Sequence, residues 1–313
     1  MTDPAPPAGQ ASDLLRRAPP AEAVEWARRA GGESGRVLSV EPLRGGMSHA
    51  NHLIRLDSGG AVHEVVLRRW VRTEWLETDP ECSPSQEAAT YDLLASSAVP
   101  VPRLIAADFS ATDCDVPALL LTRAPGRRVT RPTDLGSFLG QLARVLPVVH
   151  AVDPDRAART VPPYRPYYER DHLDVPRWTQ RPSVWQRAIE LATATPPGDA
   201  CTFIHRDYHP GNTLWVSGKL TAIVDWTNAS WGPPAVDLAH MRANLAMSYG
   251  LRAADAFLDA YYATVGVSHR LDPYWDIRAP VDFLPELPFE GTSDLQLARL
   301  EDFVAAALAV CGR

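Results

Sequence analysis

Three polar side chains in this sequence have the types and spacing that a phosphoryl-transfer centre needs. His205-Arg206-Asp207-Tyr208-His209-Pro210-Gly211-Asn212 is followed by Ile223-Val224-Asp225-Trp226. Asn212 lies five positions after Asp207, and Asp225 thirteen after Asn212. In such chemistry one carboxylate accepts or orients a hydroxyl proton. An amide oxygen and a second carboxylate hold magnesium on the nucleotide phosphates. Asp207 fits the first role, Asn212 and Asp225 the second. A lone Asp in a loop is ordinarily a turn residue that accepts local hydrogen bonds. The company of His205, Asn212 and Asp225 favours the catalytic base.

Local pattern explains how these residues converge. Cys201 to Ile204 is a short run of strand formers, and Tyr208 to Asn212, with Pro and Gly, reads as a loop. Thr213 to Val216 and Leu220 to Val224 read as two strands joined by the turn Ser217-Gly218-Lys219. This hairpin sets Asn212 and Asp225 at the two sides of its mouth. Two oxygen ligands there suit Mg²⁺, which leaves its other positions to water and phosphate.

Together with Pro234-Ala235-Val236-Asp237-Leu238, these motifs resemble the aminoglycoside phosphotransferase and choline kinase-like family, relatives of the eukaryotic protein kinases. The likeness runs from the Gly45-Gly46 loop to the region after Met241. It implies a bilobal, protein-kinase-like α+β fold, with an antiparallel-sheet N-lobe and a mainly helical C-lobe. ATP or GTP would bind between the lobes with Mg²⁺. The resemblance gives roles to further residues. Gly46 and Ser48 would cover the nucleotide phosphates. Arg68 stands where kinases carry a strand lysine, with Glu87 as its partner. The Thr122 carbonyl and the Ala124 amide would meet the adenine edge. His205 and Asp237 would hold the backbone of the catalytic loop. Arg206 is a departure, since the family commonly has Gly there. Asp-Phe-Gly, G-x-G-x-x-G, Ala-Pro-Glu and Walker-type motifs do not occur, which disfavours a protein kinase or a P-loop enzyme.

The remaining elements are read from pattern. Ala21 to Ala30 is a short helix after Pro20, and Arg36 to Leu43 a first strand. His52 to Leu56 and Val62 to Trp70 form a hairpin across Asp57-Ser58-Gly59-Gly60. Ser83-Pro84-Ser85-Gln86 is a capping box that opens a helix to about Ser97. Val116 to Leu121 is a strand that ends at the hinge. Leu135 to Val149 has helical apolar spacing, with Pro147 expected to kink or shorten its end. Asp153 to Gly198 shows little regular pattern except around Ser183 to Ala194. Leu238 to Ser248 and Leu251 to Thr264 are helices. The expected division is 1–35 tail and short helix, 36–123 nucleotide-binding N-lobe, and 124–313 catalytic and acceptor-binding C-lobe.

Composition narrows the partners. With 313 residues and 45% hydrophobic content, the chain can bury one large or two modest cores. A net charge of −7 argues against nucleic acid. No apolar run approaches the roughly 20 residues that span a bilayer. Met1 to Gln10 has no signal-peptide pattern, so a cytoplasmic place is expected. The four cysteines lack paired metal spacing and fit a reducing compartment, with Cys201 expected to be buried. Arg270 to Asp302 is rich in Asp and Glu, an excess that could recruit a polycationic acceptor. A solvated acidic helix face is the other reading of that stretch. The family resemblance implies an aminoglycoside or related antibiotic as the leading acceptor, as in antibiotic resistance. The alternatives are a metabolic hydroxyl (choline, homoserine or sugar type) and a pseudokinase that binds nucleotide without turnover.

Overall fold

A computed structural model describes residues 13–31, 35–43, 48–73, 83–266 and 270–311. It divides into two compact units, Met1–Pro125 with Ala222–Asn228, and Gly126–Thr221 with Ala229–Arg313. The fold is α+β and kinase-like, with an antiparallel-sheet N-terminal region and a helical C-terminal region.

The first unit is built on five strands: β1 (Arg36–Pro42), β2 (Ala50–Ser58), β3 (Ala61–Arg69), β4 (Leu104–Asp108) and β5 (Ala118–Thr122). Their order is β1-β2-β3-β5-β4, antiparallel throughout. The β2–β3 turn closes as its sequence predicts, with the Gly60 amide donating to Asp57 Oδ1 at 3.0 Å. Side chains alternate across the sheet. Ile54, Leu56, Val65, Leu67 and Leu120 pack on one face against Trp26 and Ala27 of helix α1 (Ala21–Ala30). Leu119 faces the other way and packs with Trp70 and with Ala88 of helix α2 (Pro84–Leu94). The same alternation turns Arg68 towards α2 and Arg69 away from it. The Ser83 hydroxyl caps α2 by accepting the Gln86 amide at 3.2 Å. The helix ends at Leu94, earlier than the expected Ser97.

The second unit is mainly helical. Its helices are α3 (Leu135–His150), α4 (Pro154–Thr160), α5 (Pro182–Ala192), α6 (Ala235–Tyr249), α7 (Leu251–Val265), α8 (Pro273–Phe283) and α9 (Asp294–Cys311). Helix α3 buries Phe138, Leu139, Leu142, Leu146 and Val149, the expected apolar stripe. Pro147 does not shorten it, because the helix runs on to His150 and the Ala151 amide still bonds to the Pro147 carbonyl at 3.0 Å. Helix α7 packs on α3 and α6, and α8 packs on α5, α6 and α9. Two short sheets complete the architecture: β6 (Thr202–Ile204) with β9 (Ser230–Gly232), and β7 (Thr213–Val216) with β8 (Lys219–Ile223). Cys201 is exposed, contrary to expectation, because it precedes β6 and does not enter the core. Among the described residues, no single helix is long and apolar enough to cross a membrane.

Candidate active site

In the first unit, one arginine gathers the charged residues. Arg68 is 5% exposed and Glu87 fully buried. Arg68 Nε donates to Glu87 Oε2 at 2.8 Å, and its Nη2 to Asp225 Oδ1 at 2.6 Å. The fork of donors makes this double pairing possible, which a point-charge ammonium could not match. Thr227 Oγ1 accepts from Arg68 Nη2 at 2.7 Å and donates to Glu87 Oε2 at 2.9 Å. Burial pushes the Glu87 carboxyl up, against the opposing pull of Arg68.

His49 Nδ1 lies 3.0 Å from Arg68 Nη2. A guanidinium only donates, so Nδ1 is the bare nitrogen and Nε2 carries the proton. Burial and the Arg68 charge hold His49 well below the ordinary histidine range, so it is neutral at pH 7. Its ring meets Trp70 edge-on, with centroids 4.4 Å apart, and Trp70 also lies under Arg68. Arg69 pairs with Asp115 on the other face. Asp225 has φ 69°, a left-handed conformation that Asp tolerates better than most residues. Trp226 is fully buried and donates to the Ile223 carbonyl at 3.1 Å, so it packs in the core.

The other expected nucleotide residues are less engaged. Ser48 is half-buried beside His49. Gly46 lies outside the described residues. The Thr122 amide donates to the Arg103 carbonyl at 2.9 Å. Among the described residues, no carbonyl or side chain accepts the Ala124 amide.

In the second unit the loop that carries Asp207 is held by α6. Asp237 is fully buried. Its Oδ2 accepts the His205 amide at 2.9 Å and its Oδ1 the Arg206 amide at 2.7 Å. His150 Nε2 lies 3.1 Å from Asp237 Oδ2. Two backbone amides and a ring thus fix the loop just before Asp207. Asn212 Nδ2 donates to Asp207 Oδ2 at 2.9 Å and to the Asp207 carbonyl at 3.0 Å. Both bonds use the amide nitrogen of Asn212 and not its oxygen. His240 Nε2 reaches Asp207 Oδ1 at 3.1 Å, and His209 Nε2 stands 3.7 Å from the same oxygen. His209 Nδ1 accepts the Gly211 amide at 3.2 Å, which again puts the ring proton on Nε2.

These contacts set the electrostatics of the loop. The Asp207 side chain is 25% exposed. Burial pushes its carboxyl up, but His209 and His240 outweigh this and hold it well below the carboxylate range. Burial takes His209 down to about 4, although Asp207 pulls the other way. Asp207 is therefore an anion at neutral pH and a weak base in the resting site. Arg206 has φ 68°, which costs a non-glycine residue about 1–2 kcal/mol.

The structure thus brings Arg68, Glu87 and Asp225 together in one unit, and Asp207, Asn212, His205 and Asp237 in the other. Sequence reasoning missed His49, Thr227 and His240. The expected helix from Leu238 left Asp237 outside, whereas the observed one starts at Ala235 and puts Asp237 and His240, three residues apart, on one face.

Metal chemistry can be weighed on the donors present. Among the described residues, no group of three or more His, Cys, Asp or Glu could hold a metal ion. Asp225 in one unit and Asn212 in the other each carry a hard oxygen donor, the type that Mg²⁺ takes.

Comparisons with known proteins agree with this architecture. The chain is similar to the aminoglycoside phosphotransferase APH(4)-Ia, with 17% identity over 92% of this chain and 99% of that one, and a TM-score of 0.62. It is similar also to the macrolide 2'-phosphotransferase MphH from Brachybacterium faecium, with 18% identity over 90% and 97% and a TM-score of 0.60. At these identities the likeness shows the fold. A sequence search of curated proteins finds no match. The model of one family, the phosphotransferase enzyme family, matches residues 39–274 of the 313. That span is most of the chain, and the protein belongs to this phosphotransferase enzyme family.

Proposed function

We propose that the protein transfers the γ-phosphoryl group of ATP or GTP to a hydroxyl of a small molecule. The observation that carries this reading is the Asp207 carboxylate, fixed between Asn212 Nδ2 and His240 Nε2 on a loop whose amides are held by Asp237. In the reaction the bond from the γ-phosphorus to the bridging oxygen breaks, and a bond to the acceptor oxygen forms. The acceptor proton passes to Asp207 and then to solvent, and the nucleoside diphosphate leaves. A carboxylate held below its usual range does not strip an alcohol in the ground state. Asp207 instead orients the hydroxyl and takes its proton late, as a loose phosphoryl transition state allows.

Arg68, held by Glu87 and Thr227, would neutralise phosphate charge, and Gly46 and Ser48 would cover the phosphates. The Thr122 carbonyl and the Ala124 amide would meet the base. His205 contributes its amide to the loop support. Asp225 and the Asn212 oxygen would hold Mg²⁺, which supplies charge neutralisation at the phosphates when bound. Nucleotide use is supported by an APH(4)-Ia variant crystallised with AMP-PNP and hygromycin B.

The names of the similar structures point to an antibiotic hydroxyl as acceptor, aminoglycoside or macrolide. A specific observation favours the second reading, a metabolic hydroxyl. Two of the carboxylates expected to recruit a polycation are consumed by buried ion pairs. Asp276 pairs with Arg242 at 2.9 Å, and Asp282 with Arg278. A screen of antibiotics and primary metabolites, with ADP or GDP release as readout, tests the assignment. Acceptor-dependent release that is lost in Asp207→Asn supports it. Release with no acceptor dependence would favour a nucleotide-binding role without transfer.

A further inference from the structure

Within the first unit, the Asp225 carboxylate carries a cation supplied by the protein itself. Arg68 Nη2 donates to Asp225 Oδ1 at 2.6 Å, and both residues belong to this unit. A guanidinium keeps its charge at every pH at which a protein is folded. The Asp225 side chain is 29% exposed and that of Arg68 only 6%. The carboxylate is therefore reachable, while the cation beside it is covered.

Arg68 is fixed in that place, because each of its guanidinium nitrogens is engaged. Nε donates to Glu87 Oε2 at 2.8 Å, and Nη1 lies 3.4 Å from Asn51 Oδ1. Nη2 reaches Thr227 Oγ1 at 2.7 Å and His49 Nδ1 at 3.0 Å besides Asp225. The Trp70 ring stands against the guanidinium, with its centroid 5.4 Å from the central carbon. Glu87 is fully buried in the first turn of α2, so an Arg68 that swung away would strand a carboxylate in the core. The positive charge on Asp225 is thus part of the scaffold.

This bears on how many metal ions the carboxylate can serve. In protein kinases a carboxylate and an amide of this kind hold a pair of magnesium ions on the phosphates. Here a fixed guanidinium engages one oxygen of Asp225. A second dication on that carboxylate would stand against a full positive charge. At such short range the repulsion far exceeds thermal energy even at the effective dielectric of a protein surface. Further anionic ligands for a metal pair are also few. Among the described residues, no group of three or more His, Cys, Asp or Glu could hold a metal ion.

Resting on the phosphotransferase reading and on Asp225 as its metal-binding carboxylate, we propose that Arg68 stands in place of a second metal ion, so that the nucleotide is held with a single divalent cation. The guanidinium supplies to the phosphates the charge that a second ion would bring. A lysine ammonium lacks the fork needed to serve Glu87 and Asp225 together, so the arginine on this strand is the residue that sets the count.

The test counts metal ions and needs no turnover. Mn²⁺ is paramagnetic and takes the oxygen ligands that suit Mg²⁺. It is titrated into the full chain saturated with AMP-PNP or GMP-PNP, and bound ions are counted by electron paramagnetic resonance. Wild type should bind one Mn²⁺ per nucleotide, with the spectrum of an isolated ion. Arg68→Gln combined with Glu87→Gln removes the cation and its buried partner together, so no charge is stranded, and a thermal melt checks the fold. In this double variant a second Mn²⁺ should bind at least about tenfold more tightly than to wild type, with the line broadening of two neighbouring spins. Glu87→Gln alone keeps Arg68 on Asp225 and should still hold one ion. Two coupled ions in wild type would overturn the proposal, and this count decides even where the double variant does not fold. One ion in wild type and in a folded double variant alike would overturn it too, since Arg68 would not then set the number. Both results leave the phosphotransferase reading standing. Nucleotide bound without Mn²⁺, or an Mn²⁺ count unchanged in Asp225→Asn, would remove Asp225 as the metal-binding carboxylate and the proposal with it. Failure of wild type to bind either nucleotide would remove the phosphotransferase reading as well.

Discussion

His240 Nε2 lies 3.1 Å from Oδ1 of Asp207, and both His240 and Asp237 project from the first turns of α6. Asp237 fixes the loop backbone while His240 fixes the carboxylate that the loop carries. One rigid helix therefore sets the orientation of the proposed base. His240→Ala should lower kcat about 10- to 100-fold, the cost of a misplaced catalytic group, with nucleotide KM nearly unchanged. His240→Gln, which keeps a donor near the same place, should recover part of the loss. Steady-state kinetics on the two variants checks this, and equal kcat in wild type and His240→Ala would show that Asp207 needs no such support.

Arg68 is the second hub. Arg68→Ala would strand the fully buried Glu87 without its cation and should cost about 3–5 kcal/mol of stability. Arg68→Lys keeps a charge but cannot serve Glu87, Asp225 and Thr227 with one fork. It should melt between wild type and Arg68→Ala, and bind nucleotide more weakly than wild type. Thermal melts and nucleotide titrations measure both effects. Wild-type melting and affinity in Arg68→Lys would mean that the double pairing is incidental.

Two histidines make stability depend on pH. His49 and His209 are kept neutral chiefly by burial, with His209 at about 4. An unfolded histidine titrates near about 6.5, so below that pH the unfolded chain binds more protons than the folded one. The stability tied to neutral His209 is complete above about 6.5 and is lost as pH falls towards 4. His209→Asn can still accept the Gly211 amide but does not titrate, so its melting temperature should fall less steeply across that window. Parallel curves for variant and wild type would exclude His209 as a source of the acid sensitivity.

The parts of this molecule that were legible in the sequence are those with local signals. The Asp57-Ser58-Gly59-Gly60 turn and the Ser83-Pro84-Ser85-Gln86 box each encode their own geometry. Strand β9 has three residues and β4 five, too short for alternation to stand out. Helix α4 carried a start signal in Asp153-Pro154 but was hidden in a Pro- and Arg-rich segment. The acidic stretch after Arg270 shows a different limit. Composition counts charges but not partners, and Arg242, which neutralises Asp276, is 34 residues away. Cys201 shows the same limit, since residue type alone does not fix burial.

The central claim is that Asp207 serves transfer to an acceptor hydroxyl, and Asp207→Asn tests it most directly. The substitution keeps the shape and a hydrogen bond but removes the negative charge. Acceptor phosphorylation and nucleotide affinity should be measured together on wild type and variant. The account predicts a fall in kcat of at least about 100-fold with nucleotide affinity little changed. Turnover in Asp207→Asn equal to wild type would contradict it.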